Sequence, residues 1–178
     1  MWTLIDSPVG PLRLVGDGTS LNAVDFLGEM PTGDGEAASV RRAVLRIDAR
    51  PLDGGLEGRA DDDPLLREAV DQLSAYFRRE LKEFSLPLAP TGTDFQLRVW
   101  EQLREIPYGA TATYGEVAGR LGLTGHGARA VGTANGRNPI PIVVPCHRVV
   151  GAAGSLTGYG GGLHRKQTLL ELEQDALF

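Results

Sequence analysis

Residues 113–135 read TYGEVAGRLGLTGHGARAVGTAN. Thr113 with Glu116 three positions later is a capping box, in which hydroxyl and carboxyl each satisfy a backbone donor at a helix start. Val117, Ala118 and Leu121 supply an apolar face, and the helix is expected to stop near Gly122. The stretch LTGHG makes a tight turn, and the small-residue run ARAVGTANG reads as a second helix. Helix, short glycine-containing turn, helix is the helix-turn-helix pattern, whose second helix can enter or face a DNA groove. Paired helices are also common packing units, so the pattern alone does not choose between the two uses.

The charge distribution bears on that choice. The chain has 178 residues, 42% hydrophobic and 23% charged, with a formal charge of −5, which is the composition of a soluble globular protein. A negative total argues at first sight against a polyanionic partner. However, residues 1–90 hold ten Lys/Arg against sixteen Asp/Glu, while 91–178 hold eight against seven. From Val117 to Leu170 there is no acidic residue, yet Arg120, Arg129, Arg137, Arg148, Arg165 and Lys166 all fall there. That window suits an anion, and it covers the second helix.

Toward the N-terminus, WTLIDSPVGPLRLVGDGTSLNAVDF alternates short apolar runs with Gly, Pro and Asp, which predicts two or three antiparallel strands. Residues 28–63 read as a loop-rich insertion, interrupted only by VRRAVLRIDA. After DDDP, the spacing of Leu66, Val70, Leu73 and Phe77 predicts an amphipathic helix from Pro64 to about Glu80. SLPLAPTG reads as a linker. Beyond it, Thr93 or Asp94 caps a helix carrying Phe95, Val99 and Leu103 on one face, with Ile106 closing that face before Pro107. GHGARA matches a dinucleotide fingerprint in letters only: a helix precedes it and no acid follows before Glu171. GYGGG lacks the Lys-Ser/Thr ending of a phosphate loop. No apolar run reaches the roughly 20 residues of a membrane span, and the start lacks a secretory signal, so a cytoplasmic protein with no membrane association is expected.

Residues 140–151, IPIVVPCHRVVG, contain the only cysteine. IPIVV reads as a buried strand ended by Pro145, which places Cys146 at a turn. A free cysteine is often a core filler. His147 and Arg148 are poor neighbours for an inert thiol, and such flanks are expected to lower its pKa from about 8.5. Three histidines and one cysteine without paired spacing do not make a closed zinc site, so no metal is expected. A cysteine hydrolase and a transferase remain level on this chemistry.

PCHRV at 145–149, preceded by NPIPIVV and followed by GSLTGYGGGLHRK, resembles the active-site signature of the O6-alkylguanine-DNA alkyltransferases, or methylated-DNA–protein-cysteine methyltransferases. IPYG at 106–109, TYGEVA at 113–118, ARAVG at 128–132, NGRNP at 135–139 and LLELE at 169–173 are similar to that family's pattern in the same order. The likeness covers nearly all of 93–173. Before Pro90 it is limited to IDSPVGPL and LSAYFRRELKEF.

The resemblance implies that Cys146 is the nucleophile and takes the alkyl group from the guanine oxygen. It implies that His147 is the base, acting through a water, and that Glu173 orients it. Independently, Glu173 lies three and four residues after Leu170 and Leu169, near the buried face of the last helix. By the same resemblance, Tyr114 donates a proton toward the base's N3 and also contacts DNA, and Arg129 enters the duplex in place of the extruded nucleotide. Ala128, Ala130 and Gly132 let that helix sit close to DNA. Asn138 ties the recognition helix to the active-site turn, while Val149, Tyr159 and Gly160 line the pocket.

The expected architecture is therefore α/β in the α+β sense. An N-terminal α/β domain with antiparallel strands spans 1–90, and a C-terminal, mostly helical, winged helix-turn-helix-like domain spans 91–178. The expected function is single-turnover transfer from O6-alkylguanine, and O4-alkylthymine, in double-stranded DNA, without a cofactor. The acting species is expected to be a monomer, with clustering on DNA left open. A thioether product has no carbonyl for water to attack, so it is not released. The rival readings are a non-catalytic DNA-binding regulator and a cysteine hydrolase.

Overall fold

A computed structural model describes residues 1–28 and 58–174. Most of the insertion at 28–63, with its VRRAVLRIDA element, lies outside the described residues. The chain divides into two compact units, Met1–Ala89 and Pro90–Phe178.

In the first unit, β1 (Trp2–Ile5), β2 (Leu12–Gly16) and β3 (Leu21–Phe26) form an antiparallel sheet in sequence order. Strand alternation is plainest in β2, where Leu12 and Leu14 are buried while Arg13 reaches Asp25 across the pair at 2.6 Å. Helix α1 (Pro64–Phe77) packs on this sheet. Asp63 caps it by accepting from the Leu66 amide at 3.0 Å, with Pro64 in the first turn.

The buried residues of α1 are Leu66, Ala69, Gln72, Leu73 and Tyr76. The expected stripe through Val70 and Phe77 is thus displaced by one position, since both are only partly buried. The helix also ends at Phe77 rather than Glu80. Arg78, Arg79 and Glu80 are all exposed and offer no apolar side chain to bury, and Arg79 turns into the left-handed region at φ 63. SLPLAPTG forms no regular element, as expected, yet it is held in place. The Leu21 amide donates to the Pro87 carbonyl at 2.8 Å, the Ala89 amide donates to the Leu21 carbonyl at 3.0 Å, and Leu86 is buried.

The second unit contains α2 (Asp94–Arg104), α3 (Tyr114–Arg120), α4 (Gly127–Asn135) and α5 (Leu163–Gln174). Thr93 and Gln96 form one capping box, and Thr113 and Glu116 form the expected second one. Helices α3 and α4 make the helix-turn-helix pair, with α4 starting at Gly127, one residue earlier than expected. A Cβ at Gly127 would lie 2.6 Å from that of Leu123, so the absence of a side chain permits the close turn. Trp100 of α2 donates its indole N–H to the Ala134 carbonyl at 2.9 Å and pins the end of α4 to the core. A short parallel pair, β4 (Ala112–Thr113) with β5 (Val149–Val150), sets the start of α3 beside the exit of the cysteine turn.

IPIVV is buried as expected, but it is not a strand. Ile142 adopts φ 75, the Val144 amide donates to the Ile140 carbonyl at 2.9 Å, and the segment is a tight turn. A β-branched residue in the left-handed region is a conformational outlier costing on the order of 1–3 kcal/mol. Asn138 stitches this turn together, donating from Nδ2 to the Val144 carbonyl at 2.8 Å and accepting at Oδ1 from the Ile140 amide at 3.0 Å. No described helix is long and apolar enough to cross a membrane.

Candidate active site and nucleic-acid interface

Pro145 leads into a single 3-10 turn, Cys146–Arg148, in which all three side chains are buried. The expected partnership of His147 and Glu173 is formed by two groups 26 positions apart. His147 Nε2 lies 2.8 Å from Glu173 Oε1, and neither residue is exposed. Glu173 also accepts from Arg148 Nε at 2.9 Å, from Arg148 Nη2 at 3.0 Å, and from the Gly109 amide at 3.1 Å. Arg148 Nη1 donates to the Ile106 carbonyl at 2.6 Å. Residues 106–109 therefore serve the site by supplying backbone groups to this buried cluster.

These contacts decide the protonation states. Burial alone would raise the Glu173 pKa, but the hydrogen bonds and charges of His147 and Arg148 outweigh it and hold the carboxyl at about 2. Burial pushes His147 below its ordinary value, against the pull of Glu173. A neutral imidazole facing an acceptor-only carboxylate must carry its hydrogen on Nε2. That leaves Nδ1 as the bare basic nitrogen, and it has no partner among the described residues.

The thiol departs from expectation. Its flanking charges do not activate it, because Arg148 is committed to Glu173 and Ile106. Burial pushes Cys146 up to about 11, and the groups that act in the opposite direction are Asn138, Lys166 and Tyr159. Asn138 and Tyr159 therefore both act on the sulfur. Lys166, one of the cations of the acid-free window, has no site role in the expectations from sequence. It is fully buried, donates from Nζ to the Val149 carbonyl at 2.5 Å and the Thr157 carbonyl at 2.8 Å, and is pushed down to about 8 by burial. The sequence did carry a signal for it, since Lys166, Leu169, Leu170 and Glu173 share one helix face and are the buried residues of α5.

Tyr114 is half-buried at the first position of α3. Its hydroxyl donates to the Thr157 carbonyl at 2.9 Å, with the Gly158 carbonyl at 3.2 Å, so its proton is engaged by the 157–158 backbone. Gly132 contributes here by lying against the Tyr114 ring; a Cβ on it would be 3.7 Å from two ring carbons. Gly160 lies close to the C-terminal end of α4, where an added Cβ would meet the Gly136 carbonyl at 3.1 Å. Val149 is buried and Tyr159 half-buried. Ala128, Arg129 and Ala130 are all on the exposed face of α4. Among the described residues no cluster of three His, Cys, Asp or Glu side chains could hold a metal ion.

Comparison with known proteins finds relatives across both units. The family described as 6-O-methylguanine DNA methyltransferase matches twice, as its ribonuclease-like domain over residues 1–90 and its DNA-binding domain over 94–175. A Mycobacterium tuberculosis protein named methylated-DNA–protein-cysteine methyltransferase is 49% identical over 170 residues, covering 96% of this chain and 90% of its own. A protein of the same name from Methanosarcina acetivorans is 44% identical, covering 97% of each chain. The crystal structure of Mycobacterium tuberculosis OGT in complex with DNA superposes with a TM-score of 0.75 at 45% identity, covering 98% of this chain and 93% of that one. A Methanococcus jannaschii O6-methylguanine DNA methyltransferase gives a TM-score of 0.61 at 27% identity, covering 98% and 93%. With matches spanning both units and relatives at this identity, the chain belongs to the 6-O-methylguanine DNA methyltransferase family.

Proposed function

We propose that the protein repairs DNA by moving an alkyl group from the O6 atom of guanine to Cys146 Sγ, once per molecule. The observation that carries this reading is the buried cysteine turn, in which the only thiol adjoins a neutral histidine with a bare Nδ1, held by an ionised carboxylate. A bridging water carries the thiol's proton to His147 Nδ1, and the imidazolium so formed is stabilised by Glu173. The thiolate attacks the alkyl carbon, the carbon–oxygen bond breaks, and its electron pair leaves with guanine O6. Tyr114 gives its proton to the departing base at N3, so the proton count closes on neutral guanine. Lys166, whose Nζ lies 5.8 Å from the centre of the Tyr114 ring, favours the thiolate and supports the charge on that side.

The alkylated oxygen is stacked in duplex DNA, so the nucleotide must be extruded, at a cost of a few kcal/mol. The exposed face of α4 supports DNA contact, with Arg129 filling the space of the extruded nucleotide and Ala128 and Ala130 permitting close approach. The DNA complex of the Mycobacterium tuberculosis relative supports duplex DNA as the partner. The decisive measurement is intact mass after mixing with a duplex containing O6-methylguanine. One methyl group gained per protein, confined to Cys146 and absent in Cys146→Ser, is the expected result. Repeated turnover or no adduct overturns the reading.

A further inference from the structure

Arg165 and the segment GYGGG at 158–162 have no part in the steps above. Tyr159 is half-buried while Gly158 and Gly160 beside it are exposed, and its hydroxyl oxygen is buried and acts on the Cys146 sulfur. Any group carried by that sulfur must share its space with Tyr159. Gly158 and Gly162 hold left-handed backbone at φ 54 and φ 90, and a strap this rich in glycine has few side chains of its own to pack it in place. Its position beside the thiol is therefore set by the groups that grip its ends.

At one end the Thr157 carbonyl accepts from Tyr114 Oη at 2.9 Å and from Lys166 Nζ at 2.8 Å. At the other, Arg165 in the first turn of α5 reaches back and donates from Nη1 to the Gly161 carbonyl at 3.0 Å. The Gly162 amide closes a turn onto the Tyr159 carbonyl at 3.0 Å, so Tyr159 is tied to the end that Arg165 holds. Between the two ends Gly160 lies against the end of α4, where an added Cβ would come within 3.1 Å of the Gly136 carbonyl. The strap is thus blocked on the α4 side and can yield only away from it. Arg165 is half-buried, stays charged, and faces Tyr159 as well as the backbone, so its hydrogen bond is of the stronger, charge-assisted kind.

We propose that Arg165 is a positioning residue that holds the 158–162 strap by the Gly161 carbonyl, keeps Tyr159 close against Cys146, and so makes the site favour methyl over bulkier alkyl groups. The assignment rests on the alkyl-transfer reading above and refines its substrate preference. A methyl group makes the smallest demand on the space beside the sulfur, whereas a benzyl group is seated only when Tyr159 moves outward, and that movement stretches the bond from Arg165. Selection of this kind works by a cost placed on the larger substrate and not by a new contact to the smaller one.

The test compares transfer rates from one duplex carrying either O6-methylguanine or O6-benzylguanine. Wild type, Arg165→Ala and Arg165→Lys are each assayed by intact mass, with thermal unfolding measured in parallel. In Arg165→Ala the benzyl-to-methyl rate ratio is expected to rise by about fivefold or more, the size of effect that one charge-assisted hydrogen bond supports. Arg165→Lys keeps a cationic donor for the Gly161 carbonyl, and its ratio is expected to stay within about twofold of wild type. Arg165→Met, which keeps the apolar stem without the donor, supplies the same comparison if the alanine variant does not fold. A purely structural role slows both substrates alike, and an unchanged or lower ratio in a folded Ala or Met variant overturns the assignment. Failure of wild type to accept methyl from O6-methylguanine overturns the alkyl-transfer reading instead.

Discussion

Replacing Glu173 with Gln should destabilise the protein by about 3 kcal/mol at neutral pH. The carboxylate is buried and accepts hydrogen bonds from Gly109, His147 and Arg148. Its folded pKa is about 2 against an ordinary 4.5, and that displacement corresponds to about 3 kcal/mol of preferential stabilisation of the ionised form. A second route gives a similar size, since removing one partner of a buried ion pair and stranding the other typically costs about 3–5 kcal/mol. Because the folded value is the lower one, the stabilisation is complete above pH 4.5 and fades as the pH falls toward 2. Urea unfolding of wild type and Glu173→Gln at pH 7, 4 and 2.5 tests both magnitude and sign. The gap should be about 3 kcal/mol at pH 7 and should narrow through the two lower values. A gap below about 1 kcal/mol at pH 7, or one that does not shrink in acid, refutes the assignment of Glu173 as the anion holding this cluster.

Asn138→Ala removes both hydrogen bonds that close the turn around the left-handed Ile142, and should lower stability by about 2 kcal/mol, read as a lower urea midpoint. Lys166→Met removes the cation that favours the thiolate, so the pH–rate profile of methyl transfer should move to higher pH. In wild type the help from Lys166 should fade as pH rises through about 8, where the lysine loses its own charge. Arg129→Ala should weaken binding to duplex DNA and lower its salt dependence, while transfer from free O6-benzylguanine base stays near wild type.

The parts of this protein that were legible in its sequence are those set by neighbours along the chain. Thr113 with Glu116 announces a helix start because the capping box closes within four residues, and the turn at 122–127 follows from its glycines. Leu169 and Leu170 place Glu173 on a buried face for the same reason. The buried face of α1 lies one position from the expected stripe because Ala69 and Gln72 are ambiguous by type. Gln72 is buried through its bonds to Ser85, thirteen residues later. IPIVV was legible as buried but not as a turn. Its composition favours a strand, and the bonds that override that preference come from Asn138, outside the run.

The cysteine turn shows why adjacency in sequence misleads about adjacency in space. In a 3-10 turn successive side chains point about 120° apart, so Cys146, His147 and Arg148 leave the backbone in three directions. Arg148 consequently spends its charge on Glu173 and Ile106, and the cation that reaches the thiol is Lys166, twenty residues away in sequence but on the buried face of α5. The arginine in PCHRV therefore serves the base and not the nucleophile. It keeps Glu173 ionised, which fixes the His147 tautomer and leaves Nδ1 bare. Arg148→Met, with the carboxylate stranded, should therefore impair proton removal even though the substituted side chain does not act on the sulfur.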